Sequence, residues 1–428
     1  MSSLELTPRS FAPGPLLGTI RVPGDKSVSH RALILGAAAP KPLEIHNLNP
    51  GRDVRATMEA LIALGARVDS TGGVLRLHAT QLREPMGALD CMNSGSTARM
   101  MLGVCAGADV PATFDGDDSL RRRPMEPVAA QLRAFGAKIE TTDGKLPLRI
   151  EGTPQRETHR FILVSPSAQV KSALLLAALF AKTSIAIVAD RNSRDHSERM
   201  LRYLGAEITW DGSTIELRSP ITNANPITVC GDFSSAAFFI VAATVAEGSE
   251  LTIEGVGVNP TRTGLLDALL NMGAKIELRN PRQLSGEPVA DIYVRHAKLQ
   301  GTTIGPDVAL RAIDEIPVLA VAAAFAQGET KITGVRDLRT KESDRVAAIE
   351  RLLTAVGVGV ETAANGLVIS GGAPRGAGAR IDTHDDHRIA MAAATLAAGA
   401  GPLQIDSDAS IDVSFPSFLE TLGSVQRA

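Results

Sequence analysis

The chain has 428 residues, 44% of them apolar, enough to fill two cores rather than one. Its 44 basic and 47 acidic side chains leave a net charge of −3, which excludes a polycation built to coat nucleic acid. Eleven Phe, two Tyr and one Trp are too few for a base-stacking platform, and three cysteines form neither a disulfide framework nor a paired metal-ligand spacing.

Taken in chain order, a strand at 17–22 comes first, with no helix of its own before it. An alanine-rich helix at 29–39 follows Gly24-Asp25-Lys26-Ser27. A second helix then runs into Leu64-Gly65-Ala66-Arg67-Val68, where the glycine closes the helix and a strand begins. This alternation recurs at intervals of about 70 residues. Further alanine-rich helices are predicted at 97–106, 171–181, 235–246, 316–326 and 389–398. Closing glycines recur at Gly136, Gly205 and Gly273, and in weaker copies at Val356-Gly357-Val358 and Leu422-Gly423-Ser424. The alanine-rich helices are apolar nearly all round, so they belong inside a core rather than on a surface.

Six such units predict an α/β protein of two domains with three repeats each. The boundary falls near Cys230-Gly231-Asp232, after a Thr/Asn/Pro-rich stretch. The early strand joins the C-terminal half, giving a discontinuous domain of 1–23 and 230–428 with an inserted domain of 24–229. The N-terminus lacks the pattern of a signal peptide, and no apolar run reaches the ~18 residues of a membrane span. A soluble, cytoplasmic protein in a reducing compartment is expected, with neither membrane nor nucleic acid as a partner.

Polar residues lead into every alanine-rich helix: Asp25-Lys26-Ser27, Asn93-Ser94-Gly95-Ser96, Ser165-Pro166-Ser167-Ala168-Gln169, Asp232-Phe233-Ser234-Ser235, Asp314-Glu315 and Asp385-Asp386-His387-Arg388. Capping accounts for the small ones, and Thr97, Ser234 and Ser235 are read that way. It does not account for Lys26, Arg31 or Arg388, which stand against the positive end of a helix dipole. A bound anion reverses that penalty and takes the free N–H groups as well. Arg123, Arg194, Lys341 and Arg345 lie in similar loops, whereas Arg121 and Arg122 are read as a solvated face. An acidic chain with basic helix mouths points to a pocket for small phosphates or carboxylates. Gly24-Asp25-Lys26-Ser27 lacks the upstream glycine of a nucleotide-phosphate loop, and capping plus an Arg partner explains Thr383-His384-Asp385-Asp386-His387 without a metal.

These motifs together resemble the 5-enolpyruvylshikimate-3-phosphate synthase family. The resemblance spans nearly the whole chain and rests on seven motifs in the family's order. They are Gly24-Asp25-Lys26-Ser27 with His30-Arg31, Asn93-Ser94-Gly95-Ser96-Thr97, Arg123-Pro124-Met125, Ser167-Ala168-Gln169-Val170-Lys171-Ser172, Asp314-Glu315, Lys341-Glu342-Ser343-Asp344-Arg345, and Asp386-His387-Arg388. The third-unit motifs look more like the second bacterial class. The resemblance implies the two-domain enolpyruvyl transferase fold, with six βαβαββ repeats, buried parallel helices and an active site in the interdomain cleft.

The implied reaction moves the enolpyruvyl group of phosphoenolpyruvate to the 5-hydroxyl of shikimate 3-phosphate, through a tetrahedral ketal, with no cofactor and no metal. By resemblance Asp314, Glu342 and Lys26 are catalytic. Lys26, Ser27, Arg31, Ser167, Gln169, Arg194, Asp314 and Lys341 match the shikimate 3-phosphate side. Lys26, Gly95, Arg123, Gln169, Arg345 and Arg388 match the phosphoenolpyruvate side. Glu342 and Arg345, three residues apart, also read as a plain surface ion pair, and Lys171 and Ser172 as structural. The resemblance further implies a monomer inhibited by glyphosate. One departure stands out: many family members carry a lysine two residues before the Phe-Pro near the end, and here that residue is Val413. Two rivals are weighed. A UDP-N-acetylglucosamine enolpyruvyl transferase usually has a cysteine in the loop that here reads Gly116-Asp117-Asp118-Ser119. A non-catalytic anion-binding repeat protein would spread its basic residues and need no acid–base pair.

Overall fold

The computed structural model describes residues 8–151, 159–164, 167–190 and 192–427. Backbone contacts divide the chain into two compact units. One holds Gly24–Cys230 together with Gln283–Glu287; the other holds the chain up to Pro23, Gly231–Arg282, and the chain from Pro288 onward.

In the first of these units the helices are Lys26–Ala38 (α1), Arg52–Ala63 (α2), Gly95–Ala108 (α3), Asp118–Arg122 (α4), Glu126–Phe135 (α5), Ala168–Ala181 (α6) and His196–Tyr203 (α7). In the second they are Phe233–Val245 (α8), Gly264–Asn271 (α9), Pro306–Arg311 (α10), Ile316–Phe325 (α11), Arg345–Thr354 (α12), His387–Ala400 (α13) and Phe418–Val425 (α14). Helices α1, α3, α6, α8, α11 and α13 are the alanine-rich ones. Each is buried along nearly its whole length, as their all-round apolar sequences require. All but α11 begin two or three residues earlier than predicted, so Lys26, Ser27, Gly95 and Arg388 lie in first turns.

Small sheets surround these helices and repeat one pattern. In the 24–230 unit, Leu89–Asp90 pairs parallel with Ala112–Asp115, which pairs antiparallel with Lys145–Glu151, and that strand with Lys138–Thr142. Two further four-stranded sheets in this unit follow the same order. Strict alternation sets the faces: Leu146, Leu148 and Ile150 point inward while their neighbours are exposed. In the other unit Leu17–Arg21 lies parallel to Glu250–Gly257, the strand position that the chain start would otherwise leave empty.

The helix-closing glycines have the left-handed backbone that the repeat predicts: φ is 102° at Gly65, 115° at Gly136, 78° at Gly205, 93° at Gly273 and 81° at Gly357. The sixth copy departs from this. Gly423 lies inside α14, and among the described residues no strand follows it. The antiparallel position in that last sheet is taken by Arg9–Phe11, paired with Leu403–Ile405. The sixth repeat therefore borrows its third strand from the start of the chain. Helix α14 instead contributes Phe418, whose ring packs 5.4 Å from Phe239 and 5.6 Å from Phe415.

Close helix packing in the 24–230 unit depends on missing side chains. A Cβ at Gly103 would collide with the backbone of Ala173, and one at Gly107 with the backbone of Ala177. Both obstacles are backbone atoms of α6, which cannot swing aside. Gly103→Ala is therefore expected to destabilise the protein by about 1–3 kcal/mol, the usual range for overpacking. Urea unfolding monitored by circular dichroism checks this; an unchanged midpoint would mean that α3 and α6 can separate without cost.

Candidate active site

In the 24–230 unit, the site residues gather at the starts of three buried helices. Asp25 caps α1 by accepting from Val28 N at 2.9 Å, which leaves Lys26 at the first helical position. Lys26 Nζ reaches Asp53 Oδ2 at 2.9 Å, so the carboxylate offsets the cation's unfavourable place on the dipole. Ser27 lies in the same turn, and its carbonyl accepts from Arg31 Nη1 at 2.9 Å. Gly24, just before the cap, has a simpler reason to be glycine: a Cβ there would strike the carbonyl of Asn47.

Arg31 is buried, and two hydroxyls hold it: Ser197 Oγ accepts from Nε and Ser172 Oγ from Nη2, both at 2.7 Å. Burial, with nearby Arg194 adding to it, lowers its pKa to about 10 against the pull of Glu198 and Asp25. Like charges held this close favour a multiply charged anion. Lys171, read from sequence as structural, forms a buried ion pair with Glu198 at 2.7 Å and donates to Ser193 Oγ at 3.0 Å. It braces the loop before Arg194, and Ser172 orients Arg31.

At the start of α3, Gly95 sits between two guanidinium groups. A Cβ there would lie 2.5 Å from Arg99 Nη1 and 2.8 Å from Arg123 Nη2. Arg99 also donates to Gln169 Oε1 at 2.9 Å, and Gln169 Nε2 donates to Ser96 Oγ at 3.0 Å. Ser167 caps α6, accepting from Val170 N at 3.4 Å; Ser165 and Pro166 lie outside the described residues. Sequence reading missed Arg99. Its spacing of four from Gly95 puts it one helical turn along on the same face, the signal that could have found it. Arg121 pairs with Asp115 at 2.6 Å on an exposed face, as read.

The second group lies at the starts of α11, α12 and α13 in the other unit. Arg345 is 1% exposed and meets three carboxylates: Glu342 Oε2 at 2.6 Å, Asp386 Oδ2 at 2.8 Å and Asp314 Oδ1 at 3.8 Å. Burial opposes its charge, but these carboxylates outweigh that and raise its pKa. The reading of Glu342 and Arg345 as a surface pair fails here, because the guanidinium is inside the protein. Burial also disfavours the charged form of Asp386, yet Arg345 overrides it and holds that carboxyl below its ordinary range. Lys341 Nζ stands 3.8 Å from Asp314 Oδ1.

Arg388 donates from Nη1 to the carbonyl of Asp314 at 2.8 Å and from Nη2 to Ser234 Oγ at 3.4 Å. Ser234 also accepts from Arg262 Nη2 at 2.7 Å and donates to Glu315 Oε1. The capping role predicted for Ser234 and Ser235 belongs to Asp232, which accepts from Ser235 N. Likewise Ser94, not Thr97, caps α3, accepting from Thr97 N and from the Thr97 hydroxyl. Val413 is half-buried and leaves its position without a charge. Among the described residues no group of three His, Cys, Asp or Glu is placed to hold a metal ion. Asp386 is taken up by Arg345 and by capping α13.

Two clusters that alternate carboxylates with Lys and Arg can hold phosphorylated acids and move protons beside them. The model of the EPSP synthase (3-phosphoshikimate 1-carboxyvinyltransferase) family matches residues 11–422. A 3-phosphoshikimate 1-carboxyvinyltransferase of Acidithiobacillus ferrooxidans is 47% identical over 409 residues, covering 94% of each chain. One from Synechocystis is 47% identical over 423 residues, covering 96% of this chain and 94% of its own. The solved EPSP synthase of Acinetobacter baumannii superposes with a TM-score of 0.85 at 37% identity over 98% of both chains. The enolpyruvyl transferase NikO of Streptomyces tendae shares the fold, with a TM-score of 0.76 at 17% identity over 97% of this chain and 96% of its own. The chain belongs to the EPSP synthase (3-phosphoshikimate 1-carboxyvinyltransferase) family.

Proposed function

We infer that the chain transfers the enolpyruvyl group of phosphoenolpyruvate to the 5-hydroxyl of shikimate 3-phosphate, giving 5-enolpyruvylshikimate 3-phosphate and phosphate. It is a transferase of the shikimate pathway, on the route to chorismate and the aromatic amino acids. The observation that carries the mechanism is Arg345, one buried guanidinium that holds both Asp314 and Glu342 within 4 Å. The reaction needs proton transfer at two atoms of one reacting assembly, the attacking hydroxyl and the methylene carbon.

In this reading Asp314 accepts the proton of the 5-hydroxyl as its oxygen bonds to carbon 2 of phosphoenolpyruvate. Glu342 delivers a proton to the methylene, which becomes the methyl of a tetrahedral ketal. Breaking the bond between carbon 2 and the phosphate oxygen then releases phosphate, while the methyl returns a proton to Glu342. Lys26 assists by protonating the leaving phosphate, and the proton from the hydroxyl restores the balance. Arg31, Arg194, Ser27, Ser167, Gln169 and Lys341 are assigned to shikimate 3-phosphate. Gly95, Arg123, Gln169, Arg345 and Arg388 are assigned to phosphoenolpyruvate, with Lys26 serving both.

We further infer a cytoplasmic monomer. Among the described residues no helix is long and apolar enough to cross a membrane. All three thiols are free and buried, and burial pushes Cys105 up to about 12, which suits a reducing compartment.

Asp314→Asn keeps the size of the side chain and removes the base. Turnover is expected to fall roughly 10²-fold or more, the usual worth of a positioned acid–base group. Shikimate 3-phosphate should still bind, within about twofold by calorimetry, as the hydrogen-bonding amide remains. Near-normal phosphate release by this variant would remove Asp314 from the mechanism.

Glyphosate carries similar charges to phosphoenolpyruvate but is longer, and is expected to inhibit the chain. Gly95 has no left-handed backbone, and a methyl there meets only the far ends of Arg99 and Arg123, which can shift. Gly95→Ala should therefore fold and should exclude the longer anion more than the substrate. The ratio of the glyphosate inhibition constant to the phosphoenolpyruvate KM is expected to rise roughly tenfold or more. An unchanged ratio would show that Gly95 does not line the phosphoenolpyruvate site.

A further inference from the structure

A buried chain of side chains behind the helix starts of the 24–230 unit has no part in the reaction as assigned. His30 Nδ1 lies 2.7 Å from Thr57 Oγ1, and Thr57 Oγ1 lies 2.7 Å from Thr97 Oγ1. Thr97 Oγ1 in turn lies 2.7 Å from Ser94 Oγ and 3.2 Å from the carbonyl oxygen of Asp53. His30, Thr57, Thr97 and Ser94 are all fully buried. The chain links α1, α2 and α3, and it ends on the residue that caps α3 immediately before Gly95.

The protons in this chain have one consistent arrangement. His30 Nε2 is buried without a hydrogen-bond partner. A bare lone pair there costs less than a stranded N–H, so the proton sits on Nδ1 and is donated to Thr57. At the far end the Asp53 carbonyl can only accept, and Ser94 Oγ accepts from Thr97 N as well, so the hydroxyl of Thr97 is a donor. Thr97 must then accept from Thr57. The direction therefore runs from His30 through Thr57 and Thr97 to Ser94. Burial, with Lys26 and Arg31 adding to it, holds the His30 pKa well below its usual value and keeps the ring neutral, as this arrangement needs. Asp53 also ties Lys26 to the same α2 turn through its carboxylate, at 2.9 Å.

We propose that Thr57 is a positioning residue for phosphoenolpyruvate: its hydroxyl, accepting from His30 and donating to Thr97, fixes the start of α3 and thus Gly95 relative to Lys26 on α1. This rests on the assignment of Gly95 and Lys26 to phosphoenolpyruvate given above. Thr57 touches neither substrate in this account. A valine of the same shape would leave His30 Nδ1–H without its acceptor and Thr97 Oγ1 without its donor, so that only the bond from Thr97 to the Asp53 carbonyl would still join the α3 start to α2 and, through the Asp53 carboxylate, to Lys26.

The test compares Thr57→Val and Thr57→Ser in the full chain. For Thr57→Val the KM for phosphoenolpyruvate is expected to rise roughly tenfold or more, as small misplacements of binding groups do. The dissociation constant of shikimate 3-phosphate should stay within about twofold, since Arg31 is held separately by Ser172 and Ser197. Thr57→Ser, which keeps the hydroxyl, should restore the KM. Nitrogen-15 spectra of the imidazoles, with His30 assigned by its loss in His30→Gln, should show a neutral ring protonated on Nδ1 in the wild type. That signal should move in Thr57→Val. An unchanged phosphoenolpyruvate KM in folded Thr57→Val overturns the proposal, and so does equal weakening of both substrates. If Thr57→Val does not fold, Thr97→Ala cuts the same chain one link on and is judged by the same constants. A wild type that releases no phosphate from the two substrates would instead refute the functional reading, and the His30 spectrum would still decide whether the chain exists.

Discussion

Burying a helix on every side leaves only its ends for chemistry, and this constraint organises the molecule. Six alanine-rich helices have no polar face to present. Their first turns must still satisfy backbone N–H groups, and Asp25, Ser94, Ser167, Asp232 and Asp386 do so as caps. Around those caps stand cations that the dipole alone would reject. Each has an internal carboxylate or hydroxyl to hold it: Asp53 for Lys26, Ser172 and Ser197 for Arg31, Asp386 for Arg345. The cations are thus fixed in place before any substrate arrives, which lowers the cost of ordering them on binding.

Arg345 shows how far this goes. A guanidinium this buried is expensive unless paired, and Asp386 accepts two hydrogen bonds from it. Its partners also include the two carboxylates assigned to proton transfer, so structural pairing and catalytic placement share one side chain. Ser234 does comparable service for Arg388, joining it to Arg262 and Glu315. The chemistry of these clusters is therefore carried by residues whose charges are mutually tied, and single substitutions should act through neighbours as well as directly.

Much of this was legible in the sequence. All-round apolar helices could only be buried, and glycines before alternating segments could only close helices, as their positive φ angles bear out. Gly423 misled because a glycine near a chain's end looks like a closing glycine whether or not a strand follows. No local signal tells that Arg9–Phe11 fills the missing place, since that pairing spans almost the whole chain. The cations stood out because positive charge at a helix start is unusual, whereas Gly95, Ser167, Gln169 and the roles of Asp314 and Glu342 came from the family resemblance. What escaped was the layer that orients them. Ser172, Ser234 and Thr57 look like ordinary small residues, and their partners lie tens to more than a hundred residues away. Capping was the sound local reading for Ser234, and only tertiary contact replaces it.

The account stands on one reaction, and a balance of its products tests that most directly. The chain is mixed with phosphoenolpyruvate and shikimate 3-phosphate, and phosphate is measured alongside the mass of the shikimate product. The account predicts one phosphate for each enolpyruvyl group gained by shikimate 3-phosphate, and none when either substrate is left out. No phosphate with both present, or equal release from phosphoenolpyruvate alone, would contradict it.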